Sequence, residues 1–369
     1  MKTRTAAVAV ALTAILAAGA CSKEMRAEWN RDKQIDKDMA ALTAAGVPGV
    51  ALVIRDGADR TRIATGKSDV AAGTAMKVDD QVRIGSVSKT YVSVVVMQLV
   101  AEGKVALDDT VQKHLGPIVP NAARITLRQL LSHSSGIANY EEHPEYLKEL
   151  MGNPNHVWAP GQLVAMAVEL GARFEPGTAA EYSNTNYTLL GMTIEKVTGT
   201  TLAKQFEQRI FRPLDLKASS APSGTELTGR YAHGYYVLDN PPATDVTRFS
   251  PSIGYSGGGI VSTTDDVTAF YKALFEGKLV RADLLSEMMT TVTARSGEKF
   301  GLGLQARDLP CGTVWGHSGN FPGYMMESYA KPGGKYQVTV AYNLDPNSMQ
   351  APAMEAVQGL LVHAMCGAD

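Results

Sequence analysis

Cysteine is scarce, with three residues in 369, at Cys21, Cys311 and Cys366. No Cys/His cluster has metal-ligand spacing, so no metal is expected. An excess of charge of one sign is also missing: 35 Lys and Arg stand against 37 Asp and Glu, a formal net charge of −2. Neither a nucleic acid nor an anionic membrane surface is therefore implied as a partner. No segment after residue 20 approaches transmembrane length, so the remainder should be soluble. There is no Walker loop, dinucleotide fingerprint, internal repeat or low-complexity tract, and no cofactor is expected. What is left is an ordinary globular composition in a chain long enough for a large core in two lobes.

The first twenty residues stand apart. Lys2 and Arg4 precede an apolar stretch from Thr5 to Ala18, which ends in Ala18-Gly19-Ala20-Cys21. A charged start, a short apolar middle and a small-residue exit make a secretory signal over 1–20. Cys21 is then either the lipidated first residue of a cell-surface lipoprotein or the residue after an Ala-x-Ala cut, with 21–30 a leader. Export to the extracellular side is expected in both cases, with the membrane reached only through such an anchor. If Cys21 carries lipid, Cys311 and Cys366 remain, and an oxidising exterior favours pairing them. Two separate buried thiols are the alternative.

The stretch that organises the chain runs from Ser86 to Ala101. Ser-x-x-Lys occurs three times, at Ser86/Lys89, Ser296/Lys299 and Ser328/Lys331. The second lies in a loop-like Arg-Ser-Gly-Glu context. The third lies on an alternating strand, where its lysine would face the other way. Only Ser86 follows a short strand-like piece, Gln81 to Ile84, and opens a long apolar segment. Its valines favour a strand. Its length up to Gly103 favours a helix, apolar on every side and hence central. On that helix Ser86 and Lys89 share a face. A buried lysine can lose its proton and take the one that makes serine a poor nucleophile. Backbone N–H groups at the helix start can hold an oxyanion.

Around this centre strands are expected at 50–54 and 61–64, joined by Asp56-Gly57, then helices through the middle of the chain. Thr126 to Gln129 reads as a capping box. His133 reads as a structural hydrogen-bonder at a helix end. Tyr182-Ser183-Asn184 leads into a helix stopped at Gly199. Strand-like 258–262 and a helix over 264–275 follow. Further strands are expected at 301–306, 313–318, 323–331 and 335–343, and a last helix over 348–364. The pattern is an α/β (α+β) fold: an antiparallel sheet with flanking helices, from 31–80 plus 220–366, and an inserted all-helical lobe over 81–219.

Two further motifs carry chemistry. Tyr182 beside a cation would have its phenolate favoured, making it a base toward serine and later an acid. The Asn184 amide can bond both the lysine and a substrate amide. Gly316-His317-Ser318-Gly319 falls at a strand end, whose edge can pair with an extended substrate. There Gly319 permits close approach, and the Asn320 N–H can complete an oxyanion hole. Gly254-Tyr255-Ser256-Gly257-Gly258 matches the nucleophile elbow, but Pro251 and Gly259 break its context. A close-packed glycine-rich strand is expected there instead.

The ordered set Ser86-x-x-Lys89, Tyr182-x-Asn184 and His317-x-Gly319 resembles the penicillin-recognising serine hydrolases. These comprise D-alanyl-D-alanine carboxypeptidases, class C β-lactamases and their esterase relatives. Histidine at the third motif is similar to the secreted carboxypeptidase branch, as is a cysteine pair placed like Cys311 and Cys366. The resemblance implies a β-lactamase-like fold and an acyl-enzyme on Ser86 with Lys89 as helper. It implies Tyr182 as general base then acid, and Asn184 on the substrate amide. His317 and Ser318 would orient Tyr182 and the substrate carboxylate, and Ser86 and Asn320 N–H groups would hold the oxyanion. Whether Lys89 or Tyr182 takes the serine proton stays open, as does whether Gln305 or Arg307 helps to hold a carboxylate. The implied partners are peptidoglycan stem peptides as substrate and β-lactams as inhibitors or substrates, for a monomeric enzyme.

Overall fold

The computed structural model describes residues 30–237 and 243–367. The signal segment, Cys21 and all but the last residue of the leader lie outside them. The strands are β1 (Gly49–Asp56), β2 (Asp59–Asp69), β3 (Thr74–Ala75), β4 (Val82–Arg83), β5 (Tyr235–Tyr236), β6 (Thr244–Asp245), β7 (Val261–Ser262), β8 (Val292–Thr293), β9 (Lys299–Phe300), β10 (Gln305–Leu309), β11 (Gly312–Phe321), β12 (Tyr324–Ala330) and β13 (Tyr336–Tyr342). The helices used below are α1 (residues 30–44), α2 (Ser88–Ala101), α3 (Val111–Leu115), α4 (Leu127–Leu131), α5 (Pro144–Gly152), α6 (Pro160–Glu169), α7 (Asn184–Thr198), α8 (Leu202–Phe206), α9 (Tyr255–Gly258), α10 (Thr264–Phe275), α11 (Ala282–Met288) and α12 (Ala351–Cys366).

Nine strands form one sheet in the order β3-β2-β1-β13-β12-β11-β10-β9-β8. Every pairing in it is antiparallel, and all but that of β1 with β13 join strands consecutive in the chain. The first and last long strands lie side by side, Leu52 opposite Val340. Helices α2 to α8 fall in the chain between β4 and β5, so a helical insertion interrupts the sheet. Period-two alternation splits the sheet's side chains. Val338, Val340 and Tyr342 pack with Ile35, Leu42, Leu360 and Leu361 of α1 and α12. Met326 and Ala341 face a larger core that continues through α2, α7 and α10.

Helix α2 overrides its valines because it is enclosed on all sides. Every residue from Ser88 to Met97 is buried, and Gly103 turns the chain away at φ +68°. Thr126 and Gln129 make the reciprocal capping box that starts α4. Gly199, left-handed at φ +67°, ends α7. Cys311 and Cys366 are disulfide-bonded, with Cα atoms 5.3 Å apart.

Two elements differ from expectation. The glycine-rich segment over Gly254–Gly258 is a helical turn, α9, packed against α2 and α7. Glycines give no side-chain period, so packing decides their conformation. The strand expected at 301–306 begins only at Gln305. Thr90 Oγ1 donates to the Gly303 carbonyl at 2.7 Å and Ser93 Oγ to that of Leu302 at 2.5 Å, which draws 301–304 toward α2.

Candidate active site

A short 3₁₀ turn, Gly85–Val87, carries Ser86 into α2. The turn lies directly on β11: a Cβ at Gly319 would stand 2.1 Å from the Ile84 carbonyl oxygen and 2.9 Å from the Ser86 nitrogen. Gly319 is therefore the position at which strand and nucleophile turn touch.

Three side chains converge on Ser86. Lys89, one helical turn on and fully buried, places Nζ 2.9 Å from Ser86 Oγ. The Tyr182 hydroxyl donates to the same oxygen at 2.7 Å. Asn184, the first residue of α7, accepts from Lys89 Nζ at 2.6 Å, and the Gly257 carbonyl accepts at 3.1 Å. A Cβ on Gly257 would come within 3.2 Å of Nζ, so the glycines of α9 make room for the lysine. Ser256 of the elbow-like motif is buried and donates to the Tyr187 carbonyl at 2.6 Å, away from this cluster.

Electrostatics sort the two candidate bases. Burial pulls the Lys89 ammonium down to about 7. A neutral amine has two N–H donors and one lone pair. Asn184 Oδ1 and Gly257 O can take the donors, which aims the lone pair at the Ser86 hydroxyl. Tyr182 moves the other way. Burial pushes its phenol far above the usual tyrosine range, although its bond to Ser86 opposes the shift. Burial thus disfavours the phenolate base expected from the sequence. When Lys89 gives up its proton, the cation that would favour a phenolate is lost, and Tyr182 stays a proton donor. Lys89 suits the first proton transfer and Tyr182 the delivery of a proton to a leaving nitrogen.

Behind Tyr182 stands His133, at φ +58°, its ring 4.5 Å from that of Tyr182. His133 Nδ1 accepts the Ser183 N–H at 3.2 Å, which fixes the entry to α7. Burial and the nearby Lys89 keep His133 neutral. His317 lies on the Ser86 face of the sheet, opposite Ser328 of β12. Burial first and Lys89 second bring its pKa to about 3. As a neutral imidazole it donates from Nδ1 to the Ser318 carbonyl. A neutral His317 carries no charge with which to attract a substrate carboxylate.

Arg307 pairs with Val314, whose side chain belongs to the core under α12, so it projects from the opposite face. There it donates to buried Glu327 at 2.7 Å. Ser318 is bound by Gln305, whose Oε1 accepts its N–H at 3.1 Å and its hydroxyl at 3.2 Å.

Beside Ser86 opens a cavity of about 580 Å³, lined by Asn184, Asn320 and Glu141 and walled by Tyr146, Leu150, Phe249, Ile253 and Phe321 among others. Asn320 also lies against the nucleophile turn, its nitrogen 2.6 Å from where a Gly85 Cβ would stand. Among the described residues, no Lys, Arg or His lines that cavity. Glu141 had no sequence signal, since its electrostatic partner Lys89 is remote in the chain. Burial raises its pKa, while Lys89, Asn139 and Asn184 favour its ionised form. Among the described residues no group of three or more His, Cys, Asp or Glu side chains converges to hold a metal ion.

The family model named Beta-lactamase matches residues 32–362. The chain belongs to this family. Curated proteins similar to this chain include Penicillin-binding protein 4* of Bacillus subtilis, 28% identical over 70% of this chain and 60% of that protein. The D-aminopeptidase of Brucella anthropi is 28% identical over 77% of this chain and 54% of its own length. The chain thus spans little more than half of these curated relatives. Among solved structures, a D-stereospecific amidohydrolase from Streptomyces sp. superposes with a TM-score of 0.82 at 34% identity, covering 90% of this chain and 98% of that one. D-amino acid amidase from Ochrobactrum anthropi SV3, complexed with L-phenylalanine amide, gives 0.78 at 27%, with the same coverage of both chains. The β-lactamase-like fold and serine-hydrolase character expected from the three motifs are those of this family.

Proposed function

We propose that the chain is an exported serine amidohydrolase acting on small amine-terminated amides or peptides of D-amino acids. The observation that carries the reading is the Glu141 carboxylate in a cavity beside Ser86 that no basic side chain lines, among the described residues. Such a cavity suits a substrate with an ammonium group and an apolar side chain, and disfavours a substrate carboxylate. The D configuration is supported by the similarity to D-aminopeptidase and to D-stereospecific amidohydrolase.

In this reading Ser86 attacks the amide carbonyl while neutral Lys89 takes its proton. The N–H groups of Ser86 and Asn320 hold the oxyanion. Tyr182 then delivers a proton to the leaving nitrogen as the Lys89 ammonium returns the serine proton to it, and water releases the acyl group. Asn184 positions Lys89. Export is part of the proposal and is supported by the Cys311–Cys366 disulfide. Lipidation of Cys21 would appear as diacylglycerol mass on membrane-extracted protein, whereas an unmodified soluble start at Cys21 would exclude it.

The D-alanyl-D-alanine carboxypeptidase expected from the sequence remains the second reading, supported by the penicillin-binding relatives. The two readings differ in which end of the substrate carries charge. The test compares kcat/KM for an apolar D-amino-acid amide, its L enantiomer, its N-acetyl derivative and a peptide ending in D-Ala-D-Ala. The free-amine D-amide should lead, and Glu141→Gln should lower its kcat/KM about tenfold or more while sparing the acetylated compound. Faster cleavage of the D-Ala-D-Ala peptide would move the assignment to the carboxypeptidase. Rapid hydrolysis of penicillin would move it to a β-lactamase, and turnover of short esters alone to an esterase.

A further inference from the structure

We propose that Tyr255 and Glu195 are positioning residues that hold the Gly257 carbonyl against Lys89, so that helix α7 sets both acceptors of the base. The inference rests on the reading of Lys89 as the group that takes the Ser86 proton. It does not depend on which amide or peptide is the substrate.

Besides Ser86, Lys89 Nζ has two partners: Asn184 Oδ1 at 2.6 Å and the Gly257 carbonyl at 3.1 Å. Asn184 begins α7, so that helix fixes the first directly. The second sits in α9, the turn Tyr255-Ser256-Gly257-Gly258, between Gly254 and Gly259. Glycines impose no conformation of their own. Within the turn only Tyr255 and Ser256 carry side chains, and both are tied to α7. Ser256 Oγ donates to the Tyr187 carbonyl at 2.6 Å, and the Tyr255 hydroxyl donates to Glu195 Oε2 at 2.9 Å. Glu195 Oε1 accepts the Leu202 N–H at 2.8 Å, which fixes the carboxylate in turn.

The turn is pressed into this position. Tyr255 has φ +39°, a left-handed conformation that a bulky residue keeps only when its surroundings enforce it. Gly191 stands in the interior of α7, where glycine weakens a helix. A Cβ there would come 2.6 Å from Ser256 Cβ and 2.9 Å from Tyr255 Cε1, so the missing side chain is the seat of α9. Burial and the Glu195 carboxylate push the Tyr255 phenol far above the usual tyrosine range, which keeps its proton in the bond.

The pair acts through geometry and not through charge. Glu195 lies about 16 Å along the helix axis from Asn184, beyond the screening length of physiological salt. The titratable side chains around Lys89 are Glu141, Tyr182, Tyr187, His133 and His317, and none belongs to α9. A hydrogen bond from the ammonium is charge-assisted and stronger than one from the amine. Loss of the Gly257 acceptor therefore favours the amine, while the lone pair loses its aim at Ser86.

The test reads acylation of Ser86 by p-nitrophenyl acetate, a neutral ester, with Ser86→Ala as blank. Ser86 Oγ bonds to the acetyl carbon, its proton passes to Lys89, and the ester C–O bond breaks to release p-nitrophenolate. That leaving group needs no proton, so the rate follows Lys89 and not Tyr182. The position of the acid limb is read, which does not depend on how much of a variant is folded. Wild type should show a limb near pH 7. Tyr255→Phe and Glu195→Ala should each move it to lower pH by about half a unit or more, and lower the plateau about threefold or more. Gly191→Ala, which unseats α9 but leaves both hydrogen-bonding groups in place, should do the same. Glu195→Gln should keep the wild-type limb, since its oxygen can accept from Leu202 and its NH₂ can donate to the Tyr255 oxygen. An unmoved limb in Tyr255→Phe and Glu195→Ala would overturn the proposal even if the plateau fell, because loss of rate alone is what a purely structural contact gives. A limb moved to higher pH would overturn it as well, as entry of water to Lys89. So would a Glu195→Gln limb displaced like that of Glu195→Ala, which would put the effect in the charge. A wild-type profile with no limb near pH 7 would refute Lys89 as the base, and the proposal with it, a failure distinct from the other three.

Discussion

Lys89 is the buried group expected to set the acid limb of the pH profile. Its free pKa of about 7 means that the ammonium form prevails below neutrality and the amine above it. With the amine as the proposed base, kcat/KM should rise through about pH 7 and fall about tenfold per unit on the acid side. An acetylated substrate keeps the substrate's own amine out of the profile. Lowered to about 3, His317 cannot produce that limb, so His317→Gln should leave its position unchanged. A limb that moves with His317 would reassign it. Ser86 itself is tested by benzylpenicillin, whose ring-opened leaving nitrogen stays tethered and obstructs deacylating water. The drug's whole mass should appear on the peptide containing Ser86 and vanish in Ser86→Ala, with turnover down on the order of 10⁴-fold or more. An adduct on Ser256 would instead favour the elbow that its buried bond to Tyr187 argues against.

At the level of elements, the contact between β11 and the nucleophile turn is the tightest constraint. Gly319→Ala would put a methyl group 2.1 Å from the Ile84 carbonyl oxygen and 2.9 Å from the Ser86 nitrogen. Backbone must move, so the variant should lose roughly 1–3 kcal/mol of stability and acylate at a much reduced rate. Wild-type acylation by penicillin together with an unchanged melting temperature would refute that constraint. Elements defined by their own neighbours were readable in advance. The capping box at Thr126, the stop at Gly199 and the span of α10 follow from local chemistry. The antiparallel character of the sheet follows from its hairpins, though not the pairing of β1 with β13, and the three motifs named the cluster around Ser86. What escaped depended on distant packing. The turn over Gly254–Gly258 takes its shape from α2 and α7, and the start of β10 from Thr90 and Ser93. Burial, invisible in a spacing pattern, reverses the expected titration of Tyr182. The face from which Arg307 projects is set by register against Val314, which no local motif records.

Across the whole molecule, the disulfide ties the turn between β10 and β11 to the end of α12, 55 residues later. By the loop-entropy model this contributes about 4 kcal/mol. Cys366→Ser should lower the melting temperature by roughly 10 °C while the Ser86 cluster still acylates, because the bond braces the outer face of the sheet and not the site. A variant with an unchanged melting temperature would place the molecule's cohesion elsewhere.

The walls of the cavity beside Ser86 come from both parts of the chain: Tyr146, Leu147 and Leu150 from α5, Phe249 and Phe321 from the sheet side. A molecule lodged there fastens the insertion to the sheet, so occupancy and unfolding are linked. At a hundredfold excess over its Kd, a ligand specific for the folded form adds about 2.7 kcal/mol. Thermal shift across a panel of D-amino acids, amides and lactams would therefore rank occupants of the cavity without any reaction having to be observed.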